Sequence, residues 1–227
     1  MLPMSPVISI CGSNGVGKTA LAQVLCKEGY GEVVNDQTND YPYRQDFFLD
    51  KLRWSFHNQC QYILHKFKQQ EVARATNAQK PTYQVRSAYD CYEVFSRKLF
   101  DDGLMTPRDF QCLAELYTFV SAYIPPPTLI IHVKAPPQLL LKRIQRRGRA
   151  IDHDITMAYL TDLEKRYEHW IEHVSPCPVL QVDTGKLDYI SNLTDKKKVL
   201  GEIDKRMLSW STSILHSEVT RERNIVY

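Results

Sequence analysis

The stretch ISICGSNGVGKTALAQVL, from Ile8 to Leu25, constrains this chain more than any other. An apolar run is followed by Gly12-Ser13-Asn14-Gly15-Val16-Gly17-Lys18-Thr19, which fits GxxxxGK[ST] in full and opens a helix-forming run. That is the strand–loop–helix context in which such a loop holds phosphates. Its glycines let successive backbone N–H groups point inward, and the helix N-terminus adds partial positive charge. Lys18 is placed to reach the β- and γ-phosphates, and the Thr19 hydroxyl to ligate Mg²⁺. A corner turned by the backbone alone would need neither the lysine nor three glycines.

The rest of the chain alternates short apolar runs with segments of helical length. Strands are expected at Val7 to Cys11, Glu32 to Asn35, Pro81 to Val85, Leu129 to Val133 and Val179 to Val182. The runs LIIHV and PVLQV are continuous enough to be buried on both faces, as in a parallel sheet covered by helices. Helices are expected over Lys18 to Lys27, Phe47 to Arg74, from Ser87 to the DDG of Asp101 to Gly103, and from a Thr106 cap with Pro107 and Asp109 in its first turn. Three more cover Pro137 to Gly148, Thr156 to Val174 and Thr194 to Ser209. Leu160, Leu163, Tyr167, Trp170 and Val174 form an apolar stripe in the second of these, read as core. The expected fold is α/β: a doubly wound parallel sheet of about five strands with helices on both faces. One domain is expected over residues 1–210, with 211–227 a tail to which no role is assigned.

Composition narrows the function. Net charge is +3, from 29 basic and 26 acidic side chains, too balanced to bind nucleic-acid polymers by bulk charge. Six cysteines, none in a CxxC pair, read as reduced thiols. The start MLPMSPVISI has no basic region before its short apolar run, and no segment approaches a membrane span, so a cytoplasmic chain is expected. In LLLKRIQRRGRAID, Lys142, Arg143, Arg146, Arg147 and Arg149 put five cations in eight residues. Alone, that density suits a solvated basic face as well as a lid over phosphates; beside a phosphate loop the lid is favoured. His169 and His173 are four apart in HWIEH, but with no HExxH and no third ligand, zinc is not expected.

In this order, the segments resemble the deoxynucleoside kinase family, in particular its bacterial-type deoxyguanosine and deoxyadenosine kinases. The resemblance runs from the P-loop to about residue 205, through YPYRQDFFLDKLRWSFHNQCQYILHKFKQ, VRSAYDCYEVFSRKLFDDGLM, the lid-like RIQRRGR and the tail helix LDYISNLTDKKKVL. It implies a P-loop kinase fold with a basic lid and an ATP-dependent phosphoryl transfer to a nucleoside 5′-hydroxyl, with Mg²⁺, in a homodimer. Position by position, it implies that Asp36 takes the hydroxyl proton and that Arg86, in the Asp/Glu-Arg-Ser motif, holds the acceptor oxygen and phosphate. Gln59 would read the base edge, Arg143, Arg147 and Arg149 would grip phosphates, and Asp152 would bind the 3′-hydroxyl. The spacing of Phe56, Gln59, Ile63 and Lys66 is compatible, since it puts an aromatic, an amide and an amine on one helix face. The same spacing also suits a core aromatic beside exposed polar groups.

Five positions depart from the family pattern. Asp36 stands for a longer glutamate, Val85 for the carboxylate that begins the Asp/Glu-Arg-Ser motif, and Phe48 for a tyrosine. Lys66 and Cys91 stand for an arginine and an aspartate that form a planar fork on the base, which an ammonium and a thiol do not reproduce. Two other readings follow: a kinase acting on another acceptor such as a nucleoside monophosphate, which would need phosphate-binding arginines near Arg44 and Arg53, or a nucleotide-binding subunit that has lost turnover.

Overall fold

A computed structural model describes residues 6–34, 41–75 and 80–207. They form two compact units, which divide between Gly185 and Lys186.

The first unit is built on five parallel strands: β1 Val7–Cys11, β2 Glu32–Val33, β3 Thr82–Val85, β4 Leu129–Lys134 and β5 Val179–Asp183. Their order is β2-β3-β1-β4-β5. All five residues of β1 are buried, as expected for a strand covered on both faces. The chain leaves β1 for β2 in one direction across the sheet and later reaches β4 and β5 in the other. The C-terminal end of β1 is therefore the switch point, where a doubly wound sheet opens a crevice. The phosphate loop starts there.

Among the described residues eight α-helices flank this sheet: α1 Lys18–Lys27, α2 Arg44–Leu49, α3 Lys51–Ala75, α4 Ala88–Asp90, α5 Arg97–Asp101, α6 Pro107–Tyr123, α7 Pro137–Arg147 and α8 Met157–His173. A core cluster joins α3, α4, α6 and α8 through Phe67, Tyr89, Leu113, Leu163 and Trp170, and takes in Cys11 and Ile130 of the sheet. The second unit carries a helix over residues 193–207, α9, in which Val199, Leu200 and Ile203 are buried, as is Tyr189 before it. Among the described residues no helix is long and apolar enough to cross a membrane.

The fold matches the expectation, with shifts that have local causes. Strand β3 starts at Thr82 because Pro81 has no N–H, though its carbonyl still accepts from Glu32 N at 3.1 Å. The segment expected as one helix from Phe47 to Arg74 is two: Asp50 leaves the helical region, and its Oδ1 accepts from Arg53 N at 3.1 Å, capping α3. Between α4 and α5 the chain widens into a π-helix over Cys91–Ser96, closed by Ser96 Oγ donating to the Cys91 carbonyl at 3.0 Å. The caps at Thr106 and Thr156 accept from Asp109 N and Tyr159 N, each at 3.2 Å.

Candidate active site

The phosphate loop is held from behind by close packing. Gly12 has φ 141°, and a Cβ there would lie 2.2 Å from the Val133 carbonyl oxygen, so only glycine fits. At Gly15 a Cβ would meet Ile144 at 2.7 Å, which brings α7 against the loop. Ser13 and Val16 are buried, Ser13 Oγ donating to Glu164 of α8, and Gly17 begins α1. Lys18 donates to the carbonyls of Gly12 (2.9 Å) and Ser13 (2.8 Å). Burial, and then the charge of Arg86, pull its pKa well below the ordinary lysine value. A phosphate beside it would favour the ammonium again.

In front of the loop lies a cavity of about 400 Å³, within the range of small-molecule sites. Asn14, Gly15, Lys18 and Thr19 form one end. Farther along stand Phe48, Gln59, Tyr62, Cys91 and Phe95. The lining carries seven cationic side chains against three carboxylates, a balance suited to a polyanion.

Arg86 links the two ends. It follows β3 with φ 62°, a left-handed conformation that costs a non-glycine residue roughly 1–2 kcal/mol. From there Nη2 donates to Asn14 Oδ1 at 2.8 Å, Nη1 donates to the Tyr167 hydroxyl at 3.2 Å, and the guanidinium lies 4.1 Å over the Phe95 ring. Burial disfavours its charge, but Tyr167 and Asp90 more than offset this and hold its pKa above the ordinary value.

Most of the residues expected in the site from sequence line this cavity. Gln59 is buried, and its Oε1 lies 3.0 Å from Ser96 Oγ, competing with the Cys91 carbonyl for the single hydroxyl proton. Phe48 is 38% exposed and packs edge-on against Phe47. Arg147 and Asp152 both line the cavity and pair with each other at 2.6 Å, and Arg149 lines it too. Asp36 lies outside the described residues.

Three residues lie elsewhere, each held by a better partner. The Lys66 ammonium is fully buried and donates to the Val85 carbonyl (2.8 Å) and Gln69 Oε1 (3.1 Å), so it braces α3 on β3 and does not face the cavity. Phe56 packs against the core cluster and is not part of the lining, whose aromatic side chains are Phe47, Phe48, Tyr62, Phe95 and Tyr159. Arg143 donates to Thr184 Oγ1 at 2.8 Å and to the Thr184 carbonyl at 2.9 Å, tying α7 to the end of β5.

Other site residues were not singled out from sequence. Phe95 comes from the π-helical turn, which no periodicity announces. Lys98 lines the cavity while paired with Asp102 and Asp162, each at 2.9 Å. Asp90 and Tyr167 stand directly behind Arg86; Ser87-Ala88-Tyr89-Asp90 has the spacing of a capping box, the signal that could have drawn attention to Asp90. Among the described residues no group of three His, Cys, Asp or Glu side chains is arranged to hold a metal.

Comparison with known proteins agrees with this geometry. The chain is 28% identical over 204 residues to the deoxyadenosine/deoxycytidine kinase of Bacillus subtilis (strain 168), spanning 89% of this chain and 93% of that one. It is 30% identical over 184 residues to the deoxyadenosine kinase of Dictyostelium discoideum, 78% and 71% of the two chains. The solved structure of deoxyadenosine kinase from M. mycoides, with products dCMP and a flexible dCDP bound, shares the fold with a TM-score of 0.72 at 19% identity, covering 88% of this chain and 98% of that one. The sequence model of the deoxynucleoside kinases matches residues 8–209. This chain belongs to the deoxynucleoside kinase family.

Proposed function

We propose that the protein transfers the γ-phosphoryl group of ATP to the 5′-hydroxyl of a nucleoside or deoxynucleoside, giving the nucleoside 5′-monophosphate. The observation that carries this reading is one cavity with Lys18 and Thr19 at one end, Gln59 and an aromatic wall farther along, and Arg86 between them. The triphosphate would lie on the loop amides and Lys18, with Arg147 and Arg149 closing over it. The base would pack against Phe48, Tyr62 and Phe95, with the Gln59 amide and the Cys91 thiol at its edge. Arg86 would hold the acceptor oxygen in line with the γ-phosphorus, so that orientation supplies most of the rate. Asp36 is assigned as the base that takes the hydroxyl proton, a role that rests on the family pattern.

Mg²⁺ fits this site. Thr19 is exposed and lines the phosphate end, and an ion that keeps much of its water needs few protein ligands. When bound, Mg²⁺ would neutralise charge on the β- and γ-phosphate oxygens.

A nucleoside is favoured over a monophosphate as acceptor. Arg44 lines the cavity, but the Arg53 guanidinium lies 5.0 Å over the Trp54 ring and is not part of the lining. The kinase domain is read as residues 1–210, supported by the family match at 8–209, with no role assigned to 211–227. A cytoplasmic homodimer is the expected form. Leu116, Phe119 and Tyr123, exposed at positions i, i+3 and i+7 of α6, support the dimer by offering an apolar stripe.

The test is an assay with Mg-ATP and a panel of nucleosides and deoxynucleosides, with nucleotide-induced thermal shift measured in parallel. The expected result is monophosphate formation by the wild type, and an Asp36→Asn variant that keeps the thermal shift and loses turnover. A folded wild type that binds Mg-ATP yet makes no product from any nucleoside overturns the kinase reading in favour of a subunit without turnover. Product at the wild-type rate from Asp36→Asn overturns the assigned base.

A further inference from the structure

Asp90 is fully buried. Its Oδ1 accepts from Ser87 N at 2.6 Å and from Ser87 Oγ at 2.8 Å, which closes the capping box of α4. Its Oδ2 accepts from the Tyr167 hydroxyl at 2.8 Å and lies 3.7 Å from Arg86 Nη1. The same Tyr167 hydroxyl accepts from Arg86 Nη1 at 3.2 Å. A phenol has one proton to give. Because Asp90 takes it, the oxygen lone pairs of Tyr167 are left to face the guanidinium. A carboxylate is the group that forces this polarity, since it accepts at both oxygens and donates at neither.

We propose that Asp90 is the positioning residue for Arg86, acting through Tyr167 to aim the guanidinium into the site. The direct ion pair and the tyrosine bridge reach one nitrogen, Asn14 takes the other, and Phe95 covers the face. Together these account for an arginine held in a left-handed backbone conformation. The inference rests on the role given to Arg86 above and adds a group that does not itself line the cavity.

Asp90→Asn separates positioning from helix capping. The amide oxygen can still accept from Ser87, so the cap survives. The NH₂ then faces Tyr167, turns its hydroxyl proton toward Arg86, and sets donor against donor. The expected result is a folded variant in which kcat falls about 100-fold while KM for ATP and nucleoside stays within about threefold. Tyr167→Phe, which leaves the cap untouched, should lower kcat in the same way, and the double variant should be no slower than Asp90→Asn alone.

A second readout needs no turnover. ¹⁵N NMR should show guanidinium protons of Arg86 that exchange slowly in the wild type and fast in Asp90→Asn. If wild-type turnover is absent, the kinase reading fails while the exchange measurement still decides the positioning. Unchanged Arg86 exchange, or a folded Asp90→Asn variant with kcat within about threefold of wild type, overturns the inference. Should Asp90→Asn not fold, Tyr167→Phe with wild-type kcat and unchanged Arg86 exchange overturns it equally.

Discussion

His132 of β4 illustrates how far a single side chain can feel the site. It is 1% exposed, stacks on the Tyr167 ring at 5.2 Å, and has no hydrogen-bond partner at either ring nitrogen among the described residues. Burial, then the charge of Lys134, lowers its pKa to about 4, against an ordinary value of 6.5. Between these two values the unfolded chain takes up a proton that the folded chain refuses. The stability that His132 contributes is therefore fully present above pH 6.5 and is lost as the pH falls towards 4, a change of about 3 kcal/mol. Urea denaturation at pH 7.5 and 4.5 should show the wild type losing more stability than His132→Leu; equal losses would assign the pH dependence to other groups. Lys66 teaches a different lesson. Spacing places it on the face of Gln59, and that much is legible in the sequence. Which carbonyl its ammonium meets depends on how α3 lies across β3, and a single helix does not encode that.

At the scale of elements, the sheet and most helices were legible because their signals are local. A mostly apolar β1, buried along its whole length, a phosphate loop directly after it, and Thr106 before Pro107 each carry their own physics. The two departures are places where local signals are silent. Phe47 to Arg74 reads as continuous helix because Asp50 is tolerated in a helix interior, and the break appears only when its side chain caps α3 instead. That break sets the angle between Phe48 on α2 and Gln59 on α3, both in the cavity lining. Asp50→Ala should cost about 1 kcal/mol, seen as a drop of ~2–4 °C in Tm, and should raise KM for the nucleoside more than KM for ATP. Equal effects on both KM values would show that the break does not shape the acceptor end. The triple proline at 125–127 stiffens the approach to β4 and is held in place from α3: Gln70 and Arg74 donate to the carbonyls of Pro125 and Pro126.

Over the whole molecule, charge is nearly balanced while the cavity is strongly basic, so the chain concentrates its cations where phosphates would lie. Nothing in the overall composition announces this; the clustering in RIQRRGR points to Arg147 and Arg149, while the other five lining cations come from separate segments. The exposed stripe on α6 belongs to the same scale. If it pairs two copies, sedimentation should give a dimer, and Phe119→Asp should shift it to monomer at micromolar concentration with the helical content unchanged. A wild type that sediments as a monomer would end the dimer reading. One consequence reaches from a single turn to the shape of the site. The wide turn Cys91–Ser96 lets Cys91 and Phe95 share the cavity wall with Lys98, Leu99 and Asp102. Deleting one residue from it would allow ordinary helix to form, and everything on one side of the deletion would rotate by about 100° relative to the other. That segment thus acts as a spacer whose length is counted rather than read. A changed side chain within it alters one contact, whereas the loss of one residue would turn half the wall away from the ligand.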